Sequence, residues 1–161
     1  MIVIVMGVVG AGKTTIGKLL ASELGWQFAD ADDFHPASNV DKIGHGIPLT
    51  DEDREPWLDR VRGAILDWIA GGQSTVLACS ALKLSYRRKL QAAPEVRFVF
   101  LKGSAALIAQ RLHARHGHFA GVAILASQLA ELEEPDDAIT VEISRTPQQI
   151  VDQIRKTLAL E

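Results

Sequence analysis

The stretch Gly7-Val-Val-Gly10-Ala11-Gly12-Lys13-Thr14 constrains this chain more than any other. It satisfies G-x-x-x-x-G-K-[ST] without a mismatch, directly after the apolar run Ile2-Val-Ile-Val-Met6 and before a segment of helical period. Glycines let successive N–H groups converge on an anion where a Cβ would obstruct them, and the helix that follows adds the positive end of its dipole. Lys13 is expected to reach the β- and γ-phosphates, and the Thr14 hydroxyl to ligate Mg²⁺. The predicted site is a nucleoside triphosphate cradle built from Gly7, Gly10, Ala11, Gly12, Lys13, Thr14 and Thr15. The unalternated apolar run before it is expected to be a strand buried on both faces.

The rest of the chain repeats this order of strand, then helix. Ile16, Leu19, Leu20 and Leu24 mark one helical face, with Gly25 placed to end it. Residues 26–29 read as a second strand ending at Asp30. Trp57, Leu58, Val61, Ile65, Trp68 and Ile69 give helical spacing over 51–69, closed by Gly71-Gly72. Residues 75–78, 96–101 and 139–143 read as further strands, 105–112 and 124–132 as helices, and Pro147 as the opening of a last helix. Alternation of this kind predicts an α/β fold with a parallel sheet and helices on both faces. The length of 161 residues fits one domain, 1–161. Segments 32–48 and 113–120 fit the alternation poorly, and their Gly, His and Arg content is that of binding loops.

Charge and cysteine usage narrow the setting. Lys plus Arg number 17 against 20 Asp plus Glu, a net charge of −3, which argues against a nucleic-acid partner. No run reaches the ~18–20 apolar residues of a membrane span. The apolar start lacks the preceding Lys or Arg of an export signal. The single cysteine, Cys79, cannot form an intramolecular disulfide and fits a reducing compartment, so a cytoplasmic protein is expected.

No guanine-reading N-K-x-D occurs, but two parts of a small kinase do. Asp30-Ala-Asp32-Asp33 ends the second strand, where open α/β sheets bind ligands. Arg111-Leu-His-Ala-Arg115-His-Gly-His118-Phe119 supplies arginines for a lid at about 113–121, with Gly117 and Gly121 as hinges. The stretch from Asp30 through His35, Lys42, Gly46, Pro48, Asp53 and Arg54 to Leu58 resembles the signature of the bacterial P-loop gluconate kinases. Cys79-Ser80-Ala-Leu-Lys83 with Tyr86-Arg87, then Gly117-His118-Phe119, then Ser127-Gln-Leu-Ala-Glu-Leu-Glu-Glu-Pro135, resemble three further signatures. Ile43 and Leu129 stand where Met and Phe are expected, swaps of similar size.

The resemblance implies a three-layer P-loop kinase fold with a five-stranded parallel sheet, a mobile lid and commonly a homodimer. It implies ATP-dependent phosphorylation of D-gluconate at its 6-hydroxyl. The same fold acting on another hydroxy acid is the nearest alternative. Shikimate kinases would show Gly-Gly-Gly where this chain has Ser80-Ala-Leu-Lys83. A non-catalytic nucleotide-binding domain is the second, though it should have lost the aspartate pair or the lid arginines.

Gluconate needs cations for its carboxylate and hydrogen-bonding groups for its hydroxyls. Asp32 is assigned to orient the acceptor hydroxyl and take its proton, with a helix N-cap as its alternative role. Asp30 is assigned to Mg²⁺, and sequence leaves open which of the two is the base. Arg54 is the leading carboxylate ligand, since its fork matches a carboxylate, with Lys83 and Arg87 in support. Ser80 and His35 are assigned to hydroxyls, His35 with packing on Pro36 as its alternative. Arg111 is expected at the nucleotide and Arg115 at the transferring phosphoryl group. His113, His116 and His118 lack zinc-site spacing. Cys79 is expected to be inert, and Trp57 and Trp68 to be core.

Overall fold

The computed structural model describes the backbone of residues 1–116 and 120–161, and the side chains of all but 115–123. The expected alternation is realised in the order β1 (Ile2–Met6), α1 (Lys13–Leu24), β2 (Gln27–Asp30), a 3-10 turn (Ala31–Phe34), α2 (Ala37–Gly44), α3 (Asp51–Ala70), β3 (Thr75–Ala78). It continues through α4 (Leu84–Leu90), β4 (Val96–Lys102), α5 (Ala105–His116), α6 (Ala120–Glu131), β5 (Ile139–Glu142) and α7 (Pro147–Leu158). The five strands form one parallel sheet, β2-β3-β1-β4-β5.

The first strand is central and wholly buried, as its unbroken apolar run requires. Its side chains alternate between two cores. Val3 and Val5 pack with Ile16, Leu20 and Ile154 from α1 and α7, while Ile2, Ile4 and Met6 pack with Trp57, Leu58 and Ile65 from α3. Each such aliphatic side chain contributes about 1.5–3 kcal/mol when fully buried, so the two faces fix the register of the sheet. The stops lie where local chemistry placed them. Gly25 closes α1 in the left-handed region, and Thr146 caps α7 ahead of Pro147.

The two poorly fitting segments contain more helix than their sequence suggests. Segment 32–48 holds the 3-10 turn and α2, and 113–116 continues α5; residues 117–119 lie outside the described residues. The helix α4 is also additional, and Trp26 precedes the second strand rather than opening it. In α2 the hydrogen bonds that matter are tertiary. Asn39, buried, donates to the Asp53 carbonyl at 2.8 Å, and Lys42 donates to both Asp53 carboxylate oxygens. That ion pair, with the backbone N–H of Thr50, pulls the Asp53 carboxyl down to about 2. Asp53 also completes the capping box of α3, so one carboxylate starts α3 and latches α2 to it.

Candidate active site

Two adjoining cavities open at the carboxyl ends of the strands, where an open α/β sheet presents its ligand crevice. They share Gly10, Gly12 and Thr15. The larger, about 450 Å³, is lined by Ala11, Ile16, Arg111, Leu112, Arg145 and Ile150, among others. The smaller, about 320 Å³, holds Val9, Lys13, Thr14, Asp30, Asp32, Cys79, Ser80 and Gln128. The glycine-rich loop is therefore a partition with an apolar, arginine-bearing chamber on one side and an acidic, polar chamber on the other.

The loop keeps its shape because the backbone permits it. Gly10 and Gly12 adopt φ of 81° and 97°, which side chains rarely adopt. A Cβ on Gly10 would stand 2.8 Å from Leu112 Cγ, so α5 lies directly against the loop. Lys13 donates from Nζ to the Val8 carbonyl at 3.0 Å, across the loop it belongs to. Burial holds its ammonium below the ordinary lysine range, and the nearby carboxylates Asp32 and Asp30 oppose that shift.

The two aspartates separate structurally. Asp30 caps the 3-10 turn, its Oδ1 accepting from the Asp32 N–H at 3.0 Å. The cap is thus Asp30, not Asp32, whose side chain is 84% exposed in the chamber. Although that side chain is open to the chamber, the atoms crowded around it desolvate the Asp32 carboxyl, and the charge of Asp30 adds to this, so the group lies above the usual carboxylate range. His35 stacks on Trp57 with centroids 4.5 Å apart. Its Nε2 stands 3.9 Å from Asp32, and burial holds the ring below the ordinary histidine range. Trp57 is core as expected, and its Nε1 donates to the Ala31 carbonyl at 2.7 Å. Burial pushes the Cys79 thiol up to about 12, in keeping with an inert residue.

The three cations expected at a substrate carboxylate are in three different situations. Arg54 donates to the Tyr86 hydroxyl at 2.8 Å and pairs with Glu131 at 3.3 Å. Lys83 pairs with Asp51 at 2.8 Å, and the Tyr86 hydroxyl donates to the same carboxylate. Arg87 corrects the expectation placed on it. It is buried, and its guanidinium donates to the carbonyls of Ala81, Leu82 and Glu133 at 2.8, 3.0 and 2.7 Å, so its fork is committed to the backbone. Those bonds hold Ala81 at φ 46°, an uncommon conformation for a residue with a Cβ.

At the other chamber, Arg111 lines the cavity while donating to the Ile143 carbonyl at 2.6 Å. The side chains of Arg115 and His116, and residues 117–119 with the Gly117 hinge and His118, lie outside what is described, while the Gly121 expected as the second hinge falls in the first turn of α6. Sequence reasoning missed Arg145 and Gln128. Arg145 follows β5 at the strand end where ligands bind, a positional signal that was available. Gln128 accepts from the Val9 N–H at 2.6 Å, a contact across 119 residues of chain whose one signal was the place of Gln128 in the Ser127–Pro135 signature stretch.

Comparison with known proteins agrees with this geometry. The family described as shikimate kinase matches residues 9–159. The thermosensitive gluconokinase of Escherichia coli (strain K12) is 41% identical, over 96% of this chain and 86% of its own. The gluconokinase of Gluconobacter oxydans (strain 621H) is 42% identical, over 94% and 87%. The crystal structure of a gluconokinase from Sinorhizobium meliloti 1021 superposes with a TM-score of 0.86 at 41% identity, covering 98% of this chain and 90% of that one.

Proposed function

This chain belongs to the gluconokinase family of P-loop kinases, and on that footing we propose that it transfers the γ-phosphoryl group of ATP to the terminal hydroxyl of D-gluconate, giving 6-phospho-D-gluconate and ADP. The observation that carries this reading is identity of about two residues in five to named gluconokinases, spread over nearly the whole chain.

The two chambers divide the substrates between them. The nucleoside lies in the chamber with Arg111 and Arg145, the β-phosphate on the partition at Gly10, Gly12 and Thr15, and the γ-phosphoryl group beside Lys13 in the chamber with Asp32. The acceptor hydroxyl attacks the γ-phosphorus, the bond to the ADP oxygen breaks, and the hydroxyl proton passes to Asp32. Lys13 and Arg115 stabilise the charge on the transferring group. Ser80 and His35 hydrogen-bond the sugar-acid hydroxyls. Arg54 and Lys83 hold the carboxylate, which takes the place Glu131 and Asp51 occupy on them here.

Magnesium fits the donors present. Thr14 and Asp30 offer hard oxygen atoms, and no cluster of three His, Cys, Asp or Glu forms a metal cage among the described residues. A cation that keeps its waters and binds mainly through phosphates suits such a site, where it neutralises phosphate charge. No described helix is long and apolar enough to cross a membrane. The reading extends to a cytoplasmic homodimer with a lid at 113–121 that closes over ATP and excludes water, the dimer and lid resting on the family resemblance. Product analysis tests the reaction. Incubation with Mg-ATP and gluconate should give one phosphate ester, with phosphorus–carbon coupling at the terminal CH₂ carbon by NMR. An ester at any other hydroxyl, with no coupling at the terminal CH₂ carbon, would contradict the proposed orientation.

A further inference from the structure

Among the described residues of α6, Gln128 is the one that lines the phosphate chamber, and the proposed mechanism leaves it without a task. Its contact lies within the glycine-rich loop itself. The Val9 N–H can only donate, so the amide oxygen must face it, and the 2.6 Å contact fixes which arm of the carboxamide is which. The amide nitrogen is then the free arm, with two donor hydrogens and no hydrogen-bond partner among the described residues. Gln128 lines only the chamber that holds Lys13, Asp32 and Ser80, not the one that holds Arg111 and Arg145. That is the γ-phosphate side of the partition.

We propose that Gln128 is a γ-phosphate ligand, its oxygen anchored on the Val9 N–H and its NH₂ group donating to the transferring phosphoryl group of ATP. The loop gives up one backbone donor and regains a donor reaching further into the chamber, at the point where ATP and ADP differ. Glu131 lies one helical turn on from Gln128 along α6, and it pairs with Arg54 at the proposed carboxylate site. The same helix therefore presents one residue to the phosphoryl donor and another to the acceptor's anchor. The inference rests on the nucleotide half of the proposed function and not on the identity of the acceptor.

Binding of ADP and of a non-hydrolysable ATP analogue, each with Mg²⁺ and without gluconate, separates a ligand from a mere tether of α6. Gln128→Glu keeps an acceptor for the Val9 N–H but sets a negative charge against the γ-phosphate. It should weaken the ATP analogue by about 30-fold or more while ADP changes by less than about 3-fold. Gln128→Ala, which removes both arms, should weaken the analogue by about 10-fold or more, again sparing ADP. Should the Glu variant melt well below the parent, the Ala variant decides by the same ratio. An unchanged ATP-to-ADP preference in the folded variants would overturn the proposal and leave Gln128 a structural tether. If the parent protein bound neither nucleotide, the nucleotide reading would fall with it. Failure of gluconate turnover alone would leave this result untouched.

Discussion

Lys13→Met should lower kcat by about 10³–10⁵-fold, the range for losing a full charge at a transferring phosphoryl group, and more than Asp32→Asn does. The ranking follows from where charge develops. Phosphoryl transfer passes through a loose transition state, so the attacking hydroxyl loses its proton late and a base contributes about 10²–10⁴-fold at most. Lys13 is desolvated at the loop it spans, where its charge acts at lower effective dielectric than in water. Met preserves the length of the stem and removes only the charge. The pH profile identifies the base independently. Asp32 must be ionised to accept a proton, and its raised pKa places the acid limb of kcat/KM above the ordinary carboxylate value of about 3.9. Activity should fall as pH drops through that limb. Asp30→Asn, which keeps an oxygen to cap the 3-10 turn, should move the limb to lower pH by removing a neighbouring negative charge. A larger loss from Asp32→Asn than from Lys13→Met, or a limb unmoved by Asp30→Asn, would reverse the assignment.

The largest stability effect is expected at Arg87. Arg87→Met would strand three carbonyl acceptors and remove the strap that joins the turn after β3 to the segment after α6. Breaking a buried charged network of this kind costs about 3–5 kcal/mol. For a domain of this size that corresponds to a fall in Tm of roughly 10 °C. Arg87→Lys keeps the charge but cannot reach three carbonyls at once, so it should recover only part of the loss. Because Ser80 and Lys83 flank the strapped turn, KM for gluconate should rise in both variants while ADP affinity holds. Either variant melting within 1 °C of the parent would show that the turn holds itself.

What could be read from the sequence was what short-range chemistry fixes. The central strand is an uninterrupted apolar run and the other four are short apolar-rich segments between helical ones, the glycine-rich loop carries its own fingerprint, and Gly25 and Pro147 mark helix ends by backbone preference alone. The helix α2 escaped because its stability comes from Asn39 and Lys42 reaching Asp53, while Val40 and Ile43 remain exposed and give no core-facing stripe. The site was legible by residue type and less so by partner. Arg54 and Lys83 were identifiable as cations, yet Glu131 and Asp51 sit on them from 77 and 32 residues away. Arg87 has the sequence of a surface arginine, and only the distant Glu133 carbonyl and the turn at Ala81 make it internal. Arg145 was signalled by its place just after β5, whereas Gln128 reaches its cavity through long-range packing against the glycine-rich loop.

Coupled ADP release with Mg-ATP, measured in parallel with gluconate, shikimate, glycerate and buffer alone, bears most directly on gluconate as the acceptor. Turnover should be selective for gluconate, with the buffer rate far below it because water alone lacks the anchored carboxylate that places a hydroxyl at the γ-phosphorus. Preferred turnover of shikimate or glycerate would contradict the carboxylate and hydroxyl assignments while keeping the phosphate cradle. No turnover with any acid, from folded protein that binds ATP, would contradict the kinase reading itself.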